Sequence, residues 1–293
     1  MSDNSSREGK NGSDDKKRGR RGLRSHYAEM SFLEHLEELR WHIIRSVIAI
    51  MVFAVVAFLL KDIIFDKIIL NPRTPEFWTN RMFAKLADLT GSDAMRINKK
   101  PLELISIKIA DQFMTHIWVS IIAGFILASP VVFREFWRFI KPALYENERK
   151  HAGGAVFFTT VLFLTGVVFG YFLIVPLSIN FLGTYHVSGD VTNQINLRSY
   201  IGTVTSISFA GGVVFLLPVF SLFLSKVGIL TPGFMRQYRK HAYVLMIFLS
   251  AIITPPDVFS QIMVGLPLVF LYEVGILISK RVVKKREKEF DEM

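Results

Sequence analysis

"HAYVLMIFLSAIITPPDVFSQIMVGLPLVFLYEVGI" (residues 241–276) decides how this chain is to be folded. Two apolar limbs are joined by only four residues, TPPD (254–257). The second limb, 258–279, is long enough to cross a bilayer, whereas the first, 241–253, has 13 residues. At ~1.5 Å per residue the first reaches only ~20 Å, against a hydrocarbon core of ~30 Å. Whether that short limb crosses sets the parity of the chain, and with it the side on which every loop lies.

Four further apolar runs, 42–60, 113–133, 152–181 and 199–225, are of spanning length. With 51% hydrophobic residues and no dyad alternation, the chain is neither a soluble domain nor a transmembrane barrel. Orientation follows from Lys and Arg in the short loops. There are eight in the tail through Arg24, five in 134–151, four in 226–240 (Lys226, Arg236, Arg239, Lys240) and six from Lys280 to Lys288. The opposite side has only Arg198 in 182–198 and none in 254–257. The 61–112 loop holds nine, but it is long and offset by seven acids. Long loops cross largely regardless of charge. Both termini are thus expected to be cytoplasmic and the span count even, so 241–253 has to cross as the fifth of six spans. A hairpin that short either sits shallowly or lies in a thinned bilayer.

The tails and the connections fill in the organisation. Residues 1–30 are polar, rich in Gly and Ser and mixed in charge, which predicts a disordered tail. Arg20-Arg21 is not read as an export signal, because a glutamate patch and a full-length span follow it rather than a short apolar region with a cleavage site. Residues 31–280 are the membrane domain, and 281–293 form a charged tail. Pro130, Pro176, Pro218 and Pro267 are expected kink sites. In the outer loop, Trp78, Met82, Leu86 and Leu89 fall at helical spacing and predict an amphipathic helix, while Ile105, Ile107 and Ile109 alternate as an extended entry into span two.

Catalytic chemistry has little to work with. There is no cysteine, no G-x-S-x-G, no H-E-x-x-H and no phosphate loop, and the seven histidines are scattered. Ionisable groups in the spans are few: His116, Glu273 in LYEVG, and Asp257 at the outer turn. The cytoplasmic edge is richer. In SFLEHLEELRWHIIRS (31–46), Ser31 and Glu34 form a capping box, and acids in a first helical turn complement the dipole. That accounts for Glu34 and in part for Glu37. Glu38 lies nearly two turns in and shares a face with Glu34 at i, i+4, where like charges repel. It is read as a candidate ligand for a cation. Arg40 points elsewhere on the helix. In EFWRFIKPALYENERKH (135–151), Glu135, Glu146 and Glu148 alternate with basic and aromatic residues. A solvated loop accounts for those charges but not for Phe136, Trp137 and Phe139.

SFLEHLEELRWHIIRS, FWRFIKPALYENER and TPPDVFSQIMVGLPLVFLYEVGI, in this order across six spans, resemble the TatC family of the twin-arginine protein translocase. The similarity covers roughly residues 31–280. The resemblance implies an all-α, six-span, N-in and C-in, cupped fold with short fifth and sixth helices, in the bacterial cytoplasmic (inner) membrane. It also implies a receptor for twin-arginine signal peptides and a core subunit that exports folded proteins on the proton motive force, without cofactor or enzymatic activity. Implied partners are TatA- and TatB-type single-span subunits, membrane lipid and further copies of the chain, with no nucleic acid. By motif, Glu38 and Glu148 match the glutamates that contact the signal's arginine pair, and Arg40 and Phe139 match further recognition residues. Asp257, Pro72, Gln261 and Glu273 match other family positions.

The chemistry agrees with that assignment, since a guanidinium pairs bidentately with a carboxylate and an ammonium does not. One residue departs from the pattern: in GGVVFLLPVFS (211–221), Leu216 stands where the family often has Glu. Two other classes were weighed. A small-molecule secondary transporter lacks midplane relays and two repeated halves, and a membrane-embedded enzyme lacks a catalytic cluster.

Overall fold

A computed structural model of the protein describes residues 32–140, 152–188, 193–228, 230–254 and 258–291. The chain falls into two units that divide between Arg45 and Ser46. Of the first unit, the described part is the beginning of helix α1 (Phe32–Leu59). Its first two turns carry Glu34, Glu37 and Glu38. The second unit holds the rest of α1 and everything after it.

Within that second unit the helices are α2 (Trp78–Thr90), α3 (Asp111–Ile140), α4 (Ala152–Phe169), α5 (Val175–Thr184), α6 (Leu197–Val214), α7 (Leu217–Val227), α8 (Pro232–Gln237), α9 (Arg239–Ile253) and α10 (Val258–Asp291). Among the described residues five stretches are long and apolar enough to cross a membrane: Glu37–Leu59, Asp111–Ile140, Gly154–Thr184, Leu197–Lys226 and Gln261–Lys284. These are the five full-length runs of the sequence. Helix α9, the sixth apolar run, has 15 residues. Helix α10 is not short: it continues for 34 residues, with neither Gly nor Pro after Gly275 to end it.

Two of the four expected kink prolines sit at interruptions of the helices. Pro218 follows a break at Phe215–Leu216 that separates α6 from α7, and Pro176 opens α5 after a π-helical turn at Gly170–Ile174. Pro130 and Pro267 lie inside α3 and α10. The helices at this centre cross very closely. A Cβ on Gly166 would stand 2.4 Å from the carbonyl oxygen of Gly211, and one on Gly211 would stand 2.6 Å from that of Gly166. Gly166 and Gly170 form a G-x-x-x-G step, the small-residue contact by which helices pack in lipid, where hydrophobicity alone does not drive association. Around the crossing, Val119, Ile174, Val175, Ile201, Val204 and Leu268 form one buried core.

The segment between α1 and α3 is stitched to α5 at its proline. Pro176 has no N–H for the carbonyl of Phe172, four residues back, and a bare carbonyl is costly away from water. The hydroxyl of Thr79 donates to that carbonyl instead. Asn98, in the left-handed region at φ 47, donates to Pro176 O (3.0 Å) and to Asn80 Oδ1 (3.1 Å), and its own N–H donates to Asn180 Oδ1 (3.0 Å). Asn80 donates in turn to the carbonyls of Pro72 (3.1 Å) and Thr74 (2.7 Å). Helix α2 therefore forms as its apolar spacing predicts, but its buried face is Thr79, Asn80, Phe83 and Ala87. Trp78 (58% exposed) and Leu89 (84%) face outward, because the turn below α2 needs donors that apolar side chains lack. The alternating stretch at 104–109 contributes a two-residue strand, Leu104–Ile105, paired in parallel with Ile195–Asn196.

Candidate functional site

Helix α1 places its acids on successive turns. Glu37 is exposed, Glu38 is half-buried and Arg40 is exposed. One carboxylate oxygen of Glu38, Oε2, is sealed from solvent and makes no hydrogen bond among the described residues. An ionised oxygen held away from water without a partner is a costly arrangement, and a cation offering N–H donors relieves it. A guanidinium does so best, because its planar fork of donors meets both carboxylate oxygens at once. The neighbouring His42 is buried, and Trp41 is exposed.

The segment from Glu135, whose charges a solvated loop accounts for but whose aromatics it does not, is helical as far as Ile140. Glu135 is 5% exposed and lies 3.3 Å from Arg138. The indole N–H of Trp137 donates to the hydroxyl of Thr159 at 3.0 Å, so this aromatic is locked into α4 rather than left at the interface. Burial of Phe133, Trp137 and Ile140 at i, i+4, i+7 is what continues the helix. Phe139, off that stripe, is half-buried at the helix end. Glu148 and Asp257 lie outside the described residues.

The remaining motif residues are accounted for locally. Pro72 is fully buried and opens a short 3-10 turn, Asn71–Arg73, with its carbonyl held by Asn80. Gln261 makes a long contact of 3.5 Å to the carbonyl of Ile247. Glu273 accepts from Arg239 Nη2 at 2.8 Å and from the Tyr243 hydroxyl at 2.5 Å. Sequence reasoning missed Arg239 and Tyr243, although their i, i+4 spacing on the short helix, opposite an acid in an apolar span, was a usable signal.

Between the spans, a cavity of about 270 Å³ is walled by residues that include Ile68, Ile122, Ile126, Val167, Tyr171 and Ser208. The hydroxyls that line it are spent: Tyr171 donates to Ile68 O (2.7 Å), Thr205 to Ile201 O (2.8 Å) and Ser208 to Val204 O (2.7 Å). Such a lining offers nothing polar to a hydrophilic solute. Among the described residues no group of three His, Asp or Glu side chains is gathered as a metal site.

Comparison with known proteins converges on one family. Residues 34–267 match the family model "Sec-independent protein translocase protein (TatC)". The chain is 40% identical over 260 residues to Sec-independent protein translocase protein TatC of Blattabacterium sp. subsp. Periplaneta americana (strain BPLAN), which covers 88% of this chain and 98% of that protein. It is 31% identical over 260 residues to Sec-independent protein translocase protein TatC of Aquifex aeolicus (strain VF5), covering 88% and 98%. A crystal structure of the twin arginine translocase receptor TatC in DDM superimposes with a TM-score of 0.65 at 31% identity, covering 84% of this chain and 99% of that one.

Proposed function

Because the chain belongs to the TatC family of Sec-independent protein translocase proteins, we propose that it is the signal-peptide receptor and core subunit of a twin-arginine translocase. In this role it binds the arginine pair of a precursor's signal and takes part in exporting the folded protein on the proton motive force. It does so with TatA- and TatB-type single-span partners and further copies of itself.

The recognition site comprises Glu38 and Arg40 on α1 together with Glu148 and Phe139. The observation that supports this reading is the sealed, unpartnered Oε2 of Glu38. A carboxylate kept in that state is unfavourable for the fold alone and favourable for capture of an arriving guanidinium. Glu148 supplies the second carboxylate, and Phe139 contacts the apolar part of the signal. Pro72, Gln261, Asp257 and Glu273 serve the fold and the outer turn rather than the arginine pair.

The chain is placed in the bacterial cytoplasmic membrane with both termini cytoplasmic. It has six spans, the fifth being the 15-residue helix α9, which either sits shallowly or lies where the bilayer thins. The domain plan is a cytoplasmic tail at 1–30, a membrane domain at 31–280 and a charged tail at 281–293.

Complementation tests the assignment. A bacterium lacking its own TatC, given this chain with its cognate partner subunits, is expected to regain export of folded twin-arginine precursors. Absence of export while the chain and its partners are present in the membrane would overturn it.

A further inference from the structure

Near its cytoplasmic end, as oriented above, helix α10 changes what it shows to its surroundings. Phe270 and Leu277 are exposed apolar side chains, Leu277 at 59%. Lys280, Arg281 and Lys284 are exposed as well. The outward surface thus turns from apolar to cationic within a single helical turn, as expected where hydrocarbon gives way to headgroups.

A second helix reaches the same level. Ser279 and Ser225 are both buried, with Ser225 Oγ donating to Ser279 Oγ at 2.7 Å. The residue after Ser225 is Lys226, and α7 ends just beyond it at Gly228, whose φ is 86. Lys226, Lys280, Arg281 and Lys284 therefore gather around one level, directly below an apolar surface.

The helix then continues unbroken to Asp291. At 3.6 residues per turn, positions 280, 281, 284, 285 and 288 fall within an arc of about 140°. Glu287 and Glu289 lie outside that arc, and Asp291 enters it only at the last helical residue. Favourable placement of cations at a helix C-terminus does not account for the cluster. That effect fades within the last turn, whereas Lys280 precedes Asp291 by 11 positions (291 − 280).

We propose that this basic cluster is a binding site for anionic phospholipid headgroups. A phosphodiester carries the complementary charge, Arg281 engages two of its oxygens as a fork, and the lysines act as point charges around it. Basic residues immediately cytoplasmic of a span attract anionic lipid in this way. The headgroup then fixes the depth and rotation of α10 in the membrane. The proposal rests on the orientation given under Proposed function.

The test uses the full chain in nanodiscs of phosphatidylcholine containing one part in five phosphatidylglycerol. Lipid that stays with the protein after detergent extraction is identified by mass spectrometry. For the triple variant K280Q/R281Q/K284Q, the retained phosphatidylglycerol relative to phosphatidylcholine is expected to fall roughly tenfold. The charge-preserving K280R/R281K/K284R keeps most of it. Equal retention by the Gln variant and the parent would overturn the proposal. So would displacement of the retained phosphatidylglycerol by millimolar inorganic phosphate, which would mark a site for free anions. Crosslinking of a twin-arginine precursor is followed in the same samples. Lost lipid with intact precursor binding supports the lipid site, and a parent chain that retains phosphatidylglycerol but binds no precursor counts against the receptor reading alone.

Discussion

Arg239 and Glu273 pair at 2.8 Å, tying the first residue of the short helix α9 to the apolar stretch of α10. The Tyr243 hydroxyl, one turn along α9, takes the other carboxylate oxygen at 2.5 Å. A helix of 15 residues has little surface with which to hold its place. This three-residue clasp sets its register against α10.

Replacing Glu273 with Ala leaves Arg239 without its counter-charge and Tyr243 without its acceptor. Both side chains of the ion pair are partly solvated, so the loss lies between that of an exposed pair and that of a buried charged hydrogen bond, roughly 1–2 kcal/mol. Glu273→Gln, which keeps an acceptor for Tyr243, is expected to lose less. Thermal unfolding of the detergent-solubilised protein followed by circular dichroism measures both, and equal stability of parent and Glu273→Ala would dismiss the clasp.

Two glycines on α6 separate close packing from helix propensity. Gly211→Ala places a Cβ against the Gly166 carbonyl and is expected to destabilise by about 1–3 kcal/mol. At Gly202 an added Cβ meets nothing within 4 Å, so Gly202→Ala is expected to be neutral or to stabilise by up to ~1 kcal/mol. The same unfolding measurement on both variants checks the contrast.

Thr79→Val preserves shape but removes the one side-chain donor, among the described residues, that stands in for the missing N–H of Pro176. Leaving the Phe172 carbonyl bare costs about 1–3 kcal/mol. The expected sign is faster proteolytic cleavage within the segment 61–112, with little change in precursor crosslinking.

Leu216 stands half-buried in the break between α6 and α7. The chain folds this region without a carboxylate, so Leu216→Glu is expected to change export little. A large gain or loss, measured as mature cargo outside the membrane, would show that the position still matters.

Much of this fold was legible because lipid imposes long apolar runs, and the five full-length runs reappear as the stretches long and apolar enough to cross a membrane, with ends shifted by one to seven residues. The outer segment was less legible. Trp78, Met82, Leu86 and Leu89 foretold helix α2 but not its buried face, because that face serves the carbonyls of Pro72, Thr74 and Phe172 through Thr79 and Asn80. Helical periodicity reports apolar faces and is blind to a polar face buried for its donors. A related limit applied at Glu135 and Trp137, where the charges fitted a solvated loop and the aromatics did not, and packing against α4 extends the helix. The candidate site was legible residue by residue, from the misfit of Glu38 with ordinary helix capping. Glu148, Arg40 and Phe139 were named only through family resemblance, since spacing within one sequence does not tell which distant segments meet.

The central claim is that Glu38 and Glu148 together receive an arginine pair. The most direct measurement is site-specific photocrosslinking of a twin-arginine precursor to the full chain, with and without Glu38→Ala and Glu148→Ala. Each single substitution is expected to weaken the crosslink and the double substitution to abolish it, while the protein stays in the membrane at parental levels. Undiminished crosslinking in the double variant would contradict the account.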